Sequence, residues 1–334
     1  QIIVEDDVEQ TVTVFGGAGN DQITVGGAWY SEVHGGEGDD TLTTGSGEDR
    51  IFGDEGNDTI NAGSGDDEID GGIGDDEIDG GLGDDTILGF DGDDTIYGSP
   101  GDDEIDGGEG EDLVYGGEGD DIIHGGAGAD ELRGENGLDE IHGDGGPDTI
   151  FGGVGNDTIF GGDDYDLIYG ENSNDEIDGG AGNDEIYGGL GSDVLRGGDD
   201  DDYIYAGNAA DPDPDSPHYA GEPDSEHLIE GGEGDDYIYG DLGFDNVDGG
   251  GGDDHIYTYA GDEDIAGGAG DDIIEAGPGS EQIDGGAGND YIDARSGEDA
   301  PGEAGSMHYV HAGDGDDEVY TDHGDDEVHG GAGD

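Results

Sequence analysis

The sequence has no cysteine and no lysine, and its four basic residues, Arg50, Arg133, Arg196 and Arg295, stand against 96 acidic ones, a formal net charge of −92 over 334 residues. Without cysteine there is no disulfide framework and no thiolate metal site, although an extracellular home stays open. Without lysine the carboxylates have almost no counterions in the chain, so these must come from solution. The same lack argues against nucleic acid and anionic membrane as partners, since both attract basic surfaces. No apolar run approaches the roughly 18 residues of a membrane span, so membrane insertion is not expected. The opening QIIVEDDVEQ has neither the basic nor the apolar region of a signal peptide. Few large apolar residues and like charge on this scale would by themselves give a disordered chain.

What the chain does have is glycine, 81 residues of it, in a strict period. Gly35 to Tyr205 divides into 19 consecutive nonapeptides without an insertion, as in GGEGDDTLT at Gly35 and GGAGNDEIY at Gly179. The sixth place is Asp in all 19, the eighth is always aliphatic, and the fourth is Gly in 16, the exceptions being Asp164, Ser173 and Asp200. Glycines at the first, second and fourth places allow dihedrals that a side chain would forbid, so six residues turn tightly and the last three form a short strand. In that strand the eighth residue points inward and the seventh and ninth point out. One inward aliphatic residue in nine builds a core only by stacking. Two facing strands per coil of two nonapeptides, at about 4.8 Å per coil, align Ile60, Ile78 and Ile96 in one sheet and Ile51, Ile69 and Ile87 in the other. Each buried side chain contributes roughly 1.5–3 kcal/mol, too little to overcome the charge without bound metal.

This pattern resembles the Gly-Gly-x-Gly-x-Asp-x-U-x nonapeptide of the RTX family, U being a large aliphatic residue, over nearly the whole chain. The resemblance implies an all-β fold, a right-handed parallel β-roll or β-helix solenoid with two sheets of short strands and two nonapeptides, about 18 residues, per coil. It also implies Ca²⁺, about one ion per nonapeptide turn, held by the sixth-place Asp and by carbonyls of its own turn and the next coil's. Asp40 would then pair with the turn of Asp58, and Asp49 with that of Asp67. Carried over residue by residue, the ligands are Asp21, Asp40, Asp49, Asp58, Asp67, Asp76, Asp85, Asp94, Asp103, Asp112, Asp121, Asp130, Asp139, Asp148, Asp157, Asp166, Asp175, Asp184, Asp193 and Asp202, then Asp236, Asp245, Asp254, Asp272, Asp290, Asp317 and Asp326. The chemistry agrees, because a hard cation takes six to eight oxygens and glycine turns expose carbonyls beside carboxylates, whereas Mg²⁺ demands tighter geometry.

Along the chain, residues 1–15 read as an N-terminal strand or cap ending in QTVTVF, and 16–205 as the first β-roll, with one extra residue expected as a bulge near Val25. Residues 206–221, with Pro212, Pro214 and Pro217, read as an extruded loop. A second roll is expected over 222–293, a disrupted repeat over 294–302 with Pro301 in the inward slot, and a third roll over 303–334, where Val310, Val319 and Val328 restore the ladder. The last repeat stops at GGAGD, which is expected of a fragment or of a chain continued by a partner. About 16 coils would give a rod of roughly 75–80 Å.

Other places carry weaker signals. Fifth-place Asp39, Asn57 and Asn183 suit turn support; Glu48, Ala129, Leu138, Pro147 and Tyr165 break that preference, so turns near 129–175 are expected to bind weakly. Seventh-place Glu68, Glu77, Glu104 and Glu131 add outward charge. Ninth-place Tyr97, Tyr115, Arg133, Phe151, Tyr169, Tyr187 and Tyr205 recur at every second nonapeptide as an outward stripe. Two readings stand for it: aromatic stacking on an exposed strand, or a contact surface for a neighbouring copy or a cell-surface glycan. The pairs His124/His142 and His311/His329 also stack, either as bland surface residues or as an adventitious Zn²⁺ or Ni²⁺ site.

There is no His-Glu-x-x-His and no Gly-x-Ser-x-Gly, and the repeat leaves no room for a catalytic domain, so no enzyme is expected. The favoured reading is a secreted, calcium-dependent structural or adhesive rod of a filament, surface layer or adhesin. The alternative is the calcium-binding tail of a secreted enzyme or toxin whose active domain lies outside this sequence. In either, low cytosolic calcium leaves the chain unfolded and millimolar calcium outside the cell folds it.

Overall fold

The structure, a computed structural model, describes residues 1–4, 11–207, 225–295, 307–321 and 325–333. They form two compact units, Gln1–Asp163 and Asp164–Asp334. Each unit is a parallel β-solenoid. Consecutive strands alternate between two sheets, and every pairing is parallel, between strands one coil apart. The described residues contain no helix.

The ladders follow from the period. Ile60 pairs with Ile78 and Ile78 with Ile96, while Ile51 pairs with Ile69 and Ile69 with Ile87. The eighth-place side chains from Leu42 to Ile204 are almost wholly excluded from solvent. Because each coil is two nonapeptides, every inward residue meets its like above and below, so one aliphatic per repeat suffices for a continuous core.

Half of the strands among the described residues hold six residues, not the three expected. Glu68–Ile73, Glu104–Glu109 and Thr149–Val154 run on through the first three places of the next repeat. Positive φ falls on the second and fourth glycines, as at Gly108 (112°) and Gly110 (144°). Among the described residues, nine non-glycine residues have positive φ, Asp54, Phe90, Asp164 and Asp200 among them, and all nine occupy those same two places. First-place glycines have no such requirement, which corrects the expectation that all three serve the turn.

The departures sit at the interruptions. Ile2–Val4 is already a rung, paired with Gln22–Val25, and Val12–Ala18 pairs with Ser31–Glu37. The extra residue is absorbed between Val25 and Ser31 in the turn, where pairing runs at an offset of 19 before settling to 18, so there is no bulge in the strand at Val25. Ile204 pairs with Ile238 and Leu195 with Ile229, an offset of 34; most of the expected 206–221 loop lies outside the described residues. Ile283 pairs with Val310 and Ile292 with Val319, an offset of 27, so one nonapeptide's length adds no rung. Pro301 lies outside the described residues. Val310 is buried, but Val328, paired only with Val310, stays 47% exposed.

Burial in the ladder sets a clear contrast between neighbours. Ile123→Ala should cost the calcium-loaded chain about 2–5 kcal/mol, whereas Ile122→Ala, on the outward side, should stay within about 0.5 kcal/mol; thermal unfolding in saturating calcium reads both.

Candidate metal centres along the turns

From Asp40 to Asp290 the sixth-place aspartates are buried at the seam between coils, and their two oxygens are treated differently. One reaches back to the preceding coil: Asp58 Oδ1 accepts the Asp40 N–H at 2.7 Å, Asp67 that of Asp49 at 2.6 Å, and Asp130 that of Asp112 at 2.7 Å. The same bond recurs in the second unit, from Asp184 N–H to Asp202 and from Asp254 N–H to Asp272. Asp40 and the turn of Asp58 are thus joined by a hydrogen bond, the later carboxylate serving the earlier turn.

The other oxygen, Oδ2, is buried without a hydrogen bond at Asp40, Asp58, Asp76, Asp94 and Asp112, at Asp67, Asp85, Asp103 and Asp121 in the alternate column, and at Asp184, Asp202, Asp236 and Asp254 in the second unit. A buried, unsatisfied carboxylate oxygen is costly. Its repetition at one register is the donor pattern a bound cation would satisfy. The first-place glycine shows where the cation would fit. A Cβ on Gly107 would lie 2.6 Å from Asp112 Oδ2 and 2.6 Å from the Gly125 carbonyl oxygen of the next coil. On Gly179 it would lie 2.5 Å from Asp184 Oδ2 and 2.6 Å from the Gly197 carbonyl oxygen. Glycine is needed there because a side chain would occupy the cradle between a carboxylate and a carbonyl. This all-oxygen donor set suits a hard cation such as Ca²⁺.

The turns are not equivalent. At Thr44 and Ala62 the first place carries a side chain, and the Thr44 hydroxyl donates to the Ala62 carbonyl oxygen at 2.6 Å. The cradle beside Asp49 therefore already holds a side chain. Asp21, Asp317 and Asp326 are only partly buried, near the first and last described coils. In the second unit one column replaces Asp at four of its sixth places: His227, Glu263, Glu281 and His308 stand there, all buried. The Asp193 N–H meets His227 Nδ1 at 3.2 Å, and the Asp245 N–H donates to Glu263 Oε2 at 3.0 Å. The sequence expectations missed these four. All four were legible by phase: His227 and His308 lie one nonapeptide before Asp236 and Asp317, and Glu263 and Glu281 lie one nonapeptide after Asp254 and Asp272.

Fifth-place residues form a second, exposed ladder that supports the turns, as when Asp120 Oδ1 accepts the Leu138 N–H at 2.9 Å. The ninth-place stripe stacks as expected, with Tyr97 on Tyr115 at 5.1 Å and Tyr169 on Tyr187 at 5.0 Å, and Arg133 lies 4.3 Å over Phe151. It does not all face solvent. Tyr187 and Tyr205 are 6% and 9% exposed, packed with Leu167, Tyr169, Tyr239 and Tyr259. His124 and His142 stack at 4.5 Å, with Asp144 Oδ2 2.9 Å from His124 Nδ1. His311 pairs with His329 in the ladder, but the ring beside His329 is Tyr309.

What the fold and the seam define is a cation-binding β-solenoid. The RTX calcium-binding nonapeptide repeat matches residues 12–28, 32–60, 52–87, 88–123, 115–150, 151–186, 178–211, 228–247, 240–274, 257–292, 275–300 and 309–334. The chain belongs to that family, and its repeats bind calcium. No curated protein matches it significantly.

Burial sets the protonation of the seam. Desolvation pushes the carboxyls of Asp67 and Asp202 up to about 8, those of Asp76, Asp112 and Asp184 to about 7, and those of Asp94 and Asp130 to about 6, against the opposing pull of the backbone N–H each accepts. Carboxyls raised in the fold favour the metal-free solenoid at low pH, and that contribution is lost as pH rises from about 4 through 8. Cation binding needs the ionised form, so calcium affinity should move the other way. Titration calorimetry in buffers of differing ionisation heat should show tighter binding as pH climbs from 6 to 8, with protons released in that window and few above pH 9.

Proposed function

We propose that the sixth-place carboxylates and first-place glycine carbonyls hold calcium between successive coils, about one ion per intact turn, and that the chain is a secreted structural or adhesive repeat segment whose folding is coupled to calcium supply. The observation that carries the reading is the buried Oδ2 without a hydrogen bond, recurring with a glycine cradle beside it. Bound calcium supplies positive charge and accepts the oxygen lone pairs that the fold buries. The chain's own residues do the rest: ionised carboxylates resist packing until a counterion is at hand, and the aliphatic ladders cannot close while the turns repel.

Extracellular calcium modules work at roughly 10⁻⁴–10⁻³ M, so the segment would fold after export and stay extended before it. Repeats occupying nearly the whole chain favour a structural or adhesive role. The aromatic column of the first unit, with Tyr97 exposed, is the face we assign to contact with a neighbouring copy or a surface glycan.

Circular dichroism during a calcium titration tests the coupling: the chain should gain strand signal cooperatively in the submillimolar to millimolar range, and a fully folded chain in excess chelator would overturn it. Gly107→Ala, whose backbone needs no positive φ, should reduce the calcium bound at saturation while the rest of the ladder folds; calcium uptake equal to the wild type would remove the cradle assignment. The biological role is checked by intact mass of the native polypeptide and its cell fraction. A cell-surface or secreted product built of repeats is expected, and one carrying a catalytic domain would overturn the structural role.

A further inference from the structure

The turn Gly240–Asp245 breaks the pattern on both sides. Where other first-place glycines face a carbonyl of the next coil, a Cβ on Gly240 would meet the Thr258 methyl at 3.3 Å. His227 takes the place of the preceding coil's aspartate. His227, Asp241 and Asp245 are 3%, 1% and 0% exposed, and each offers one ligand atom within 4.8 Å of the others.

Most hydrogen-bonding positions around them are assigned. Asp241 accepts Ser225 Oγ at 3.0 and 2.9 Å and the Gly243 N–H at 2.6 Å. Asp245 Oδ2 accepts the Asp241 N–H at 2.9 Å. Left over are His227 Nε2 and Asp245 Oδ1, both buried without a hydrogen bond among the described residues. His227 Nε2 lies 3.5 Å from Asp241 Oδ2. That is beyond the roughly 2.7–3.2 Å of an N–H···O bond. Two ligands on a tetrahedral ion with bonds of about 2.0–2.2 Å stand roughly 3.3–3.6 Å apart, and the observed separation matches that edge.

We infer that His227, Asp241 and Asp245 form a site for a borderline divalent transition metal, Zn²⁺ being the probe of choice, set within the calcium-binding array. Imidazole is a poor ligand for calcium, which takes oxygen, and a good one for zinc. For Nε2 to present its lone pair, the ring proton sits on Nδ1. In the structure Nδ1 instead accepts the Asp193 N–H at 3.2 Å, so metal binding at Nε2 moves the ring proton to Nδ1, with Asp193 Oδ2 3.5 Å away.

The full chain, folded in saturating calcium, is dialysed against Zn²⁺ and then against calcium buffer alone, and the zinc retained is counted. The wild type should keep one equivalent. His227→Gln should lose it, with calcium-dependent circular dichroism unchanged. The double variant His124→Gln/His142→Gln, which removes the exposed His124, His142 and Asp144 cluster, should keep it. Zinc-edge anomalous diffraction from calcium-loaded wild-type crystals reads the same question without any variant having to fold, and a peak beside His227 Nε2 is expected. No retained zinc, retention unchanged in His227→Gln, loss in the double variant, or a peak elsewhere would each overturn the site. His227 would then be an imidazolium held between Asp193 and Asp241.

Discussion

The structure depends on one contact repeated from coil to coil: a buried aspartate whose first oxygen accepts a backbone N–H of the preceding coil and whose second faces a glycine cradle. The hydrogen bond fixes the register of successive turns. The second oxygen places a negative charge where there is no water to solvate it. Packing and charge therefore oppose each other at the same atoms, and a proton or a cation at the second oxygen relieves the opposition.

This division of labour explains the three glycines of the repeat, which do different things. Those at the second and fourth places carry positive φ, and Asp54, Phe90 and Asp200 show that other residues endure it at those places when the coil above and below holds the turn. The first glycine has ordinary dihedrals and is small because the cradle needs the volume. Thr44 shows the alternative, in which a hydroxyl occupies the cradle and takes the carbonyl for itself.

The second unit uses the same seam with other chemistry. His227, Glu263, Glu281 and His308 keep the sixth place buried while changing its donors, and the backbone pairing of the coils continues through them. A solenoid tolerates this because each coil contacts only its neighbours. A change of ligand in one turn alters the affinity of that seam without disturbing the ladder two coils away.

The nonapeptide period, with its invariant Asp and aliphatic places, determined the solenoid, the two ladders and the family, because an exact repeat forces every coil into the same register. Strand length was not legible, since Gly-Gly-x pairs as readily in a strand as it turns, and pairing with neighbouring coils decided for the strand. The reason for the first glycine was equally hidden, because volume between coils has no signature along a chain. His227 and Asp193 stand on opposite sides of an insertion, His227 within and Asp193 just before the two strands that pair across it. Only the closure of the coils after that insertion brings ring and carboxylate together, because contact across a seam is a property of stacking and not of sequence distance.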